Sequence, residues 1–430
     1  MRLSINKISF FTLFLDNLFF PVDLGFDFRV NYIFQAIFIV YFFFTNRNIK
    51  IKPKIVMVLL TVFSLLLLSA LINGAKFPLF IKQTILITYQ SIFAWFLINA
   101  YKFDFYKIAK DYISICILIS IVGLVQFISF KIGFVHGANY SFLGFDMGNL
   151  KMHSHRVQSW FQEPSFMIYS LIPAVFISFA KFFNITSLMG YKTASLIVLT
   201  VILSKSSLGF FALLLCLLLI VFSKYPVVKK PIFLSIFGIS TCIVAILLYN
   251  VPEMKFRVDD TLELFTSNKV TAKQIDKTNL STYALYSNYS IVKHSMSENP
   301  LFGAGLGQYP FIYDKTIEEV VPKSTYRENF RLNREDANSL LFRLLAETGL
   351  LGSILFVFFV FNYRIKWSER TSDNHFFWTL NNGIFILIIL RLLRQGHYSM
   401  LGFALMLFIY FETYTKNKKN VSDIKGIHNT

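Results

Sequence analysis

Long apolar runs separated by short polar breaks dominate the chain. Crossing a bilayer takes about 20 largely apolar residues over roughly 30 Å of hydrocarbon. Twelve segments approach that description: Ile8–Phe20, Val30–Phe44, Ile55–Ile72, Phe80–Ala100, Tyr112–Phe130, Phe166–Phe182, Leu188–Leu203, Leu208–Phe222, Ile232–Tyr249, Leu340–Phe361, Phe377–Leu393 and Met400–Phe411. The first and last are short. The first holds Asp16 and no small-residue cleavage site, so a retained anchor is expected rather than a signal peptide. One polar stretch of 87 residues, Val251–Ala337, interrupts the pattern and predicts short helices and irregular loop. The pattern predicts an all-α polytopic membrane protein with about 12 transmembrane helices. Spans 1 to 9 lie in 1–250, one large extracytoplasmic loop in 251–337, spans 10 to 12 in 338–415, and a basic cytoplasmic tail in 416–430. No internal repeat of fixed period is visible.

Composition narrows the class. The 430 residues are 55% apolar and only 15% charged, against about 25% charged in soluble domains. That excludes most soluble enzymes, disulfide scaffolds and disordered chains. Cys116, Cys216 and Cys242 each sit in an apolar run with no partner at metal-ligand spacing. No Walker A loop and no GxGxxG after a strand is present, so neither a cofactor nor a metal is expected.

The net charge of +18 raises nucleic acid as a partner. Cytoplasmic loops of membrane proteins, however, collect Lys and Arg. With both termini inside, the inner loops hold 21 of the 42 basic residues. The long loop holds 11 more alongside 12 acidic residues. The charge therefore belongs to the inner membrane rim, and no nucleic acid is expected.

Ionisable groups cost about 2.5 to 3.5 kcal/mol each at mid-span on insertion scales, so those near spans are functional candidates. Four clusters fall on the outer side of this topology. Arg156 to Ser165 precede the sixth span, with Glu163 one residue before a proline. Such a carboxylate is either a helix-capping acid or a base at the water boundary. Ser204 to Gly209, with Lys205, form an outer turn that also reads as a plain polar hairpin. Asn299 to Gly307 carry glycine at every second position from Gly303, which permits close backbone approach or an anion-binding turn. Arg327, Arg331, Arg334 and Asn338 follow, and these arginines also read as solvated charges paired with nearby acids. Arg343 and Glu347, four apart, pair most simply with each other. Arg391, Arg394, His397 and Tyr398 close the set. If the helix continues, Arg391, Arg394 and Tyr398 share one face. The arginines either snorkel or grip phosphate in bidentate fashion.

These segments resemble the O-antigen polymerase and ligase superfamily, and its polymerase branch most. The resemblance rests on Gln162-Glu163-Pro164-Ser165-Phe166, the Ser204–Gly209 turn, the Asn299–Gly307 run, Ala337-Asn338-Ser339-Leu340 leading to Leu345–Gly352, and Arg394–Tyr398. It implies a GT-C-like fold of the second type and glycosyl transfer at the outer leaflet of a bacterial cytoplasmic membrane. The donor would be a glycan on polyprenyl diphosphate and the acceptor another lipid-linked repeat unit, with no metal required. Membrane lipid, a chain-length regulator and a flippase are the implied partners. Ligase-branch members place His before the Asn that opens span ten, whereas Ala337 stands here, which favours the polymerase. Glu163 is the expected base and His397 its alternative. Arg156, Lys205, Arg334, Arg391 and Arg394 are expected at the diphosphate, and Asn338 and Tyr398 at the sugars. The rival readings are a ligase and a flippase of lipid-linked oligosaccharide.

Overall fold

The computed structural model describes residues 4–19, 29–45, 53–148, 150, 155–225, 238, 249–250, 252–267, 269–324, 331–370 and 375–427. The chain is an all-helical membrane protein. Among the described residues the extended contacts are two isolated bridges, Leu18 to Phe145 and Phe19 to Arg29.

In chain order the helices are α1 Ile5–Thr12, α2 Val30–Thr45, α3 Pro53–Ile72, α4 Phe77–Ala100, α5 Phe105–Ile132, the short α6 Val135–Ala138, α7 Pro164–Phe182, α8 Tyr191–Leu203 and α9 Ser207–Lys224. Four helices of the large insertion follow: α10 Pro252–Thr266, α11 Ala272–Lys277, α12 Leu280–Glu298 and α13 Tyr309–Val320. The chain then returns through α14 Leu340–Asn362, α15 Phe376–Arg394 and α16 Phe403–Ile427. Six of them, α4, α5, α7, α9, α14 and α15, are long and apolar enough to cross a membrane. α2 Val30–Thr45, the Leu60–Ile72 part of α3 and α8 Tyr191–Leu203 are shorter apolar stretches.

Two predicted spans need comment. The first is not one helix over Ile8–Phe20: α1 has 8 residues, about 12 Å of rise, and the chain then turns at residues 13–17. Asp16 stops it, because its buried carboxylate takes bonds from neighbouring elements that a continuous helix would not present. The ninth, Ile232–Tyr249, lies almost wholly outside the described residues.

Caps fix several helix ends. Asp104 accepts from the Lys107 amide at 3.0 Å at the start of α5, and Gly133 ends that helix in the left-handed conformation. Ser339 caps α14 by accepting from the Phe342 amide at 3.2 Å. Thr271 and Gln274 form a capping box on α11.

α7 is the centre of the bundle, buried along most of its length and packed by α8, α9 and α15. Gly383 of α15 permits the closest approach: a Cβ there would stand 3.0 Å from the Pro173 carbonyl oxygen. Through this contact α7 and α15 are tied side by side.

α14 is a broken helix. Gly349 has φ 64° and ψ −164°, outside helical space. The backbone of the glycine run fills the break. Leu350 and Leu351 amides donate to Pro300 and Leu301 carbonyls at 2.9 and 3.1 Å, while Ala304 and Gly305 amides donate to Ala346 and Glu347 carbonyls at 2.8 and 3.0 Å. A backbone group freed inside a membrane must find a protein partner, and here the insertion supplies it. Gly303 and Gly349 are required for this fit, since a Cβ on either would lie 2.4 to 2.6 Å from the other strand's backbone. The glycines thus serve backbone approach: the Gly305 amide is spent on α14, and the Gly303 amide donates to the Asn299 carbonyl at 3.1 Å.

Candidate functional site

Glu163 occupies the N-cap of α7 with extended backbone (φ −142°) and Pro164 at the first helical position. Its carboxylate makes no capping bond, is exposed, and accepts from the Ser165 hydroxyl at 3.0 Å. The acid is thus presented to solvent instead of being consumed by the helix end. Ten residues separate Pro173 from Glu163 on α7, and eleven separate Gly383 from Arg394 on α15. Both side chains therefore climb about 15 Å from the shared crossing. They reach the same end of the bundle, the end that carries the insertion.

At that end α15 stops at Arg394, and Gln395 is extended. The helix does not continue, so Tyr398 does not share a face with Arg391 and Arg394; it lies in a loop, 395–402, that folds back across the bundle. Four side chains grip this loop's backbone. Arg391, buried at 1% exposure, donates to the His397 and Met400 carbonyls at 2.8 and 2.7 Å. Arg343 donates to the Gly396 carbonyl at 3.3 Å, and the Gln395 side chain accepts from the His397 amide at 3.2 Å. Asp16 accepts from the Leu401 amide, with Asn31 at 2.5 Å and Arg29 at 3.6 Å on the same carboxylate. Gly396 is held against the next element so closely that a Cβ would collide with the Asp336 carbonyl.

This clamp places His397 and Tyr398 on either side of the start of α14. His397 Nε2 stands 3.7 Å from Asp336 Oδ2. Burial and the cations Arg343, Arg29 and Arg391 hold the imidazole well below the usual histidine value, so it is neutral near pH 7. Burial raises the Asp336 carboxyl, an effect opposed by bonds from Asn333 at 2.8 Å and the Asn338 amide at 3.2 Å. Tyr398 donates to Glu347 Oε2 at 2.9 Å, and its ring lies 4.4 Å from the Arg343 guanidinium. Arg343 and Glu347 pair at 3.1 Å, as their spacing predicts. Arg343 also reaches Gln83 at 2.9 Å, and Glu347 takes the Tyr309 amide at 3.3 Å. Two buried charges are thus fully paired, which a membrane interior demands.

Asn338 is 4% exposed, in the left-handed region at φ 59°, and its side-chain nitrogen has no bond partner. Tyr169 on α7 is also buried with its hydroxyl unpartnered, 5.7 Å by its ring from the Arg391 guanidinium. Arg394 is half-buried and donates to the Ser281 carbonyl at 3.4 Å. Ala337 is fully buried among Ile291, Val292, Tyr309 and Tyr313.

The remaining candidates lie farther out. Lys205 is exposed at the α8–α9 turn, which the Val157 amide bridges to Leu203 at 3.3 Å. That bond joins the turn to the segment carrying Arg156. Arg334 holds Asp314 in a bidentate pair at 2.7 and 2.5 Å, with Glu335 at 2.5 Å, and the guanidinium keeps the Asp314 carboxyl below its ordinary value. Among the described residues no group of three or more His, Cys, Asp or Glu is placed to hold a metal ion.

Sequence reasoning missed Tyr169 and Gln83, and it read Asp336 only as an acid for the neighbouring arginines, whereas Asp336 faces His397. Tyr169 and Gln83 lie in helices where Tyr and Gln are unremarkable, and only packing shows what they face. Asp16 carried a signal, a lone carboxylate within an apolar run, although its target amide lies 385 residues away.

Residues 193–357 match the family model described as O-antigen ligase. This segment is of the O-antigen polymerase and ligase superfamily. The superfamily segment takes in Lys205, the insertion, Arg334, Asn338 and the Arg343–Glu347 pair, while Glu163 and the 391–398 group lie outside it. No curated protein gives a significant match to the chain.

Proposed function

We propose that the chain polymerises polyprenyl-diphosphate-linked oligosaccharide repeat units by glycosyl transfer at the outer leaflet of a bacterial cytoplasmic membrane. The reading includes about twelve crossings in a GT-C-like arrangement, cytoplasmic termini, and a flippase and chain-length regulator as partners. The reading is supported by the antiparallel run of α7 and α15, which opens the one at Glu163 and closes the other at Arg394 on the same end, with His397 beside Asp336 in the loop that follows Arg394, in a chain whose 193–357 segment is of this superfamily.

In the proposed step an acceptor sugar hydroxyl attacks the anomeric carbon of the donor glycan. The new carbon–oxygen bond forms as the bond to the diphosphate oxygen breaks. The electron pair departs with the diphosphate, and the hydroxyl proton passes to the Glu163 carboxylate. Arg394, with Arg156 and Lys205 nearer the rim, offers charge to the departing diphosphate. Arg391 and Tyr398 serve best as the frame that holds this loop, because their polar atoms are engaged within the protein. The Asn338 amide nitrogen is a donor available to a sugar oxygen. Ala337, where the ligase branch places His, supports polymerase over ligase.

One observation favours a ligase as the second reading. His397 brings a neutral imidazole to Asp336, one residue from Ala337, and so supplies from another loop the group that position lacks. Surface glycan from a strain without the gene separates the two. Single repeat units on the usual anchor, with the ladder gone, support a polymerase. Long polymer left on its lipid carrier means a ligase, and units trapped on the inner leaflet mean a flippase.

A further inference from the structure

Tyr169 carries a hydroxyl that packing does not explain. Its ring is buried on α7, 3% exposed, and stands 5.7 Å from the Arg391 guanidinium. A phenylalanine would fill the same place and face the same cation, and this chain uses 51 of them. Buried tyrosines elsewhere commit the hydroxyl to a protein acceptor: Tyr112 donates to the Ser170 carbonyl at 2.7 Å, Tyr309 to the Asn288 side chain at 2.6 Å and Tyr398 to Glu347 at 2.9 Å. The Tyr169 hydroxyl has no such partner. A polar group buried in this way costs about 1 to 3 kcal/mol, and a ligand oxygen that accepts its bond removes that cost.

The hydroxyl lies toward the end of the bundle that carries the insertion. Tyr169 comes six residues after Glu163, about 9 Å below it along α7, and helical side chains lean toward the N-terminus, here the end where Glu163 stands. Besides Arg391, the charges that act on it are Arg394 and Asp336, the first closing α15 and the second just before α14. Two of these three groups are cations, so an anionic oxygen is the favoured guest. Two residues past Asp336, Asn338 brings a second buried donor without a partner, its side-chain nitrogen.

We propose that the Tyr169 hydroxyl donates a hydrogen bond to a diphosphate oxygen of the lipid carrier, a substrate-binding role that rests on the polymerisation reading above. The phenol keeps its proton throughout. It adds a neutral donor to the charge of Arg394 where negative charge gathers as the glycan leaves the diphosphate. A neutral donor suits this depth, because a further cation beside Arg391 and Arg394 would be one more buried charge in need of a partner.

The test is the thermal midpoint of the full chain in detergent with and without undecaprenyl diphosphate, read beside repeat-unit transfer. Undecaprenol, the tail alone, gives the baseline shift. Tyr169→Phe should match or exceed the parent's midpoint when free, because no protein bond is lost, while it loses at least half of the diphosphate-dependent shift and about 10²-fold in kcat. Tyr112→Phe should do the opposite: its free midpoint falls, since the bond to the Ser170 carbonyl is lost, and its shift and kcat stay as in the parent. A fall in the free midpoint of Tyr169→Phe as large as that of Tyr112→Phe would make the hydroxyl structural and overturn the proposal. Equal diphosphate shifts in Tyr169→Phe and the parent would also overturn it, and would leave the polymerase reading standing. No diphosphate-dependent shift in the parent would overturn both.

Discussion

Glu163 is an N-cap residue that does not cap. Its freedom from the helix end is what makes Glu163→Gln informative: the variant should insert and elute normally while transfer falls by about 10²- to 10⁴-fold, the usual share of a general base. Unchanged polymer on a glycan gel would return Glu163 to a passive acid. Arg394→Lys should also lose polymer, because a point charge replaces a planar fork, whereas wild-type ladders would make Arg394 a snorkelling cation. His397 makes a stability prediction. Its folded-state pKa lies below the ordinary 6.5, so the unfolded chain binds more protons between the two values and stability falls as pH drops below 6.5. The thermal midpoint should drop between pH 7.5 and 5.5, and drop less in His397→Gln; equal drops would disprove the assignment. At this scale the sequence showed the candidates and left their roles open. Arg391 and Arg394 look alike in the chain, yet one is consumed by carbonyls of its own loop while the other reaches the rim of the site.

Elements carry the next level of information. The apolar runs marked most helices, because a 3.6-residue repeat in a lipid-facing chain leaves little else to form. What they did not mark is where a helix stops being regular. Asp16 ends α1 early through partners on α2 and on the 395–402 loop, and those contacts have no trace in local spacing. Gly349 breaks α14 because a second backbone, at residues 300–305, lies against it. The glycines were legible, but their partner was not. Gly303→Ala should test this lock against Gly74→Ala. Both sites have positive φ, 65° and 60°, but a Cβ at Gly303 meets backbone at 2.6 Å while at Gly74 it meets nothing within 4 Å. Gly74→Ala should show only the local cost of about 1 to 2 kcal/mol, and Gly303→Ala a clearly larger fall in thermal midpoint in detergent. Equal falls would mean that α14 tolerates separation from the run.

At the scale of the whole molecule, the chemistry gathers at one end of a bundle centred on α7. The sequence predicts twelve crossings and an inside-out charge bias; among the described residues six helices are long and apolar enough to cross, beside shorter ones, and most of the ninth predicted span lies outside those residues. The insertion also reaches down into the bundle, through Pro300–Gly305 on α14, Gln308 on Lys76 at 2.9 and 3.0 Å, and Ser281 on Arg394. Replacing residues 251–339 by a flexible linker should therefore abolish monodisperse membrane protein, and not merely activity, as read by size-exclusion chromatography. Recovery of a well-behaved bundle would show the insertion to be a separate module. The break at Gly349 gives the reason to expect otherwise. A segment that completes the hydrogen bonds of a transmembrane helix is inherited with that helix as one part, so hybrids between related chains should survive only when their junctions fall outside residues 299–351.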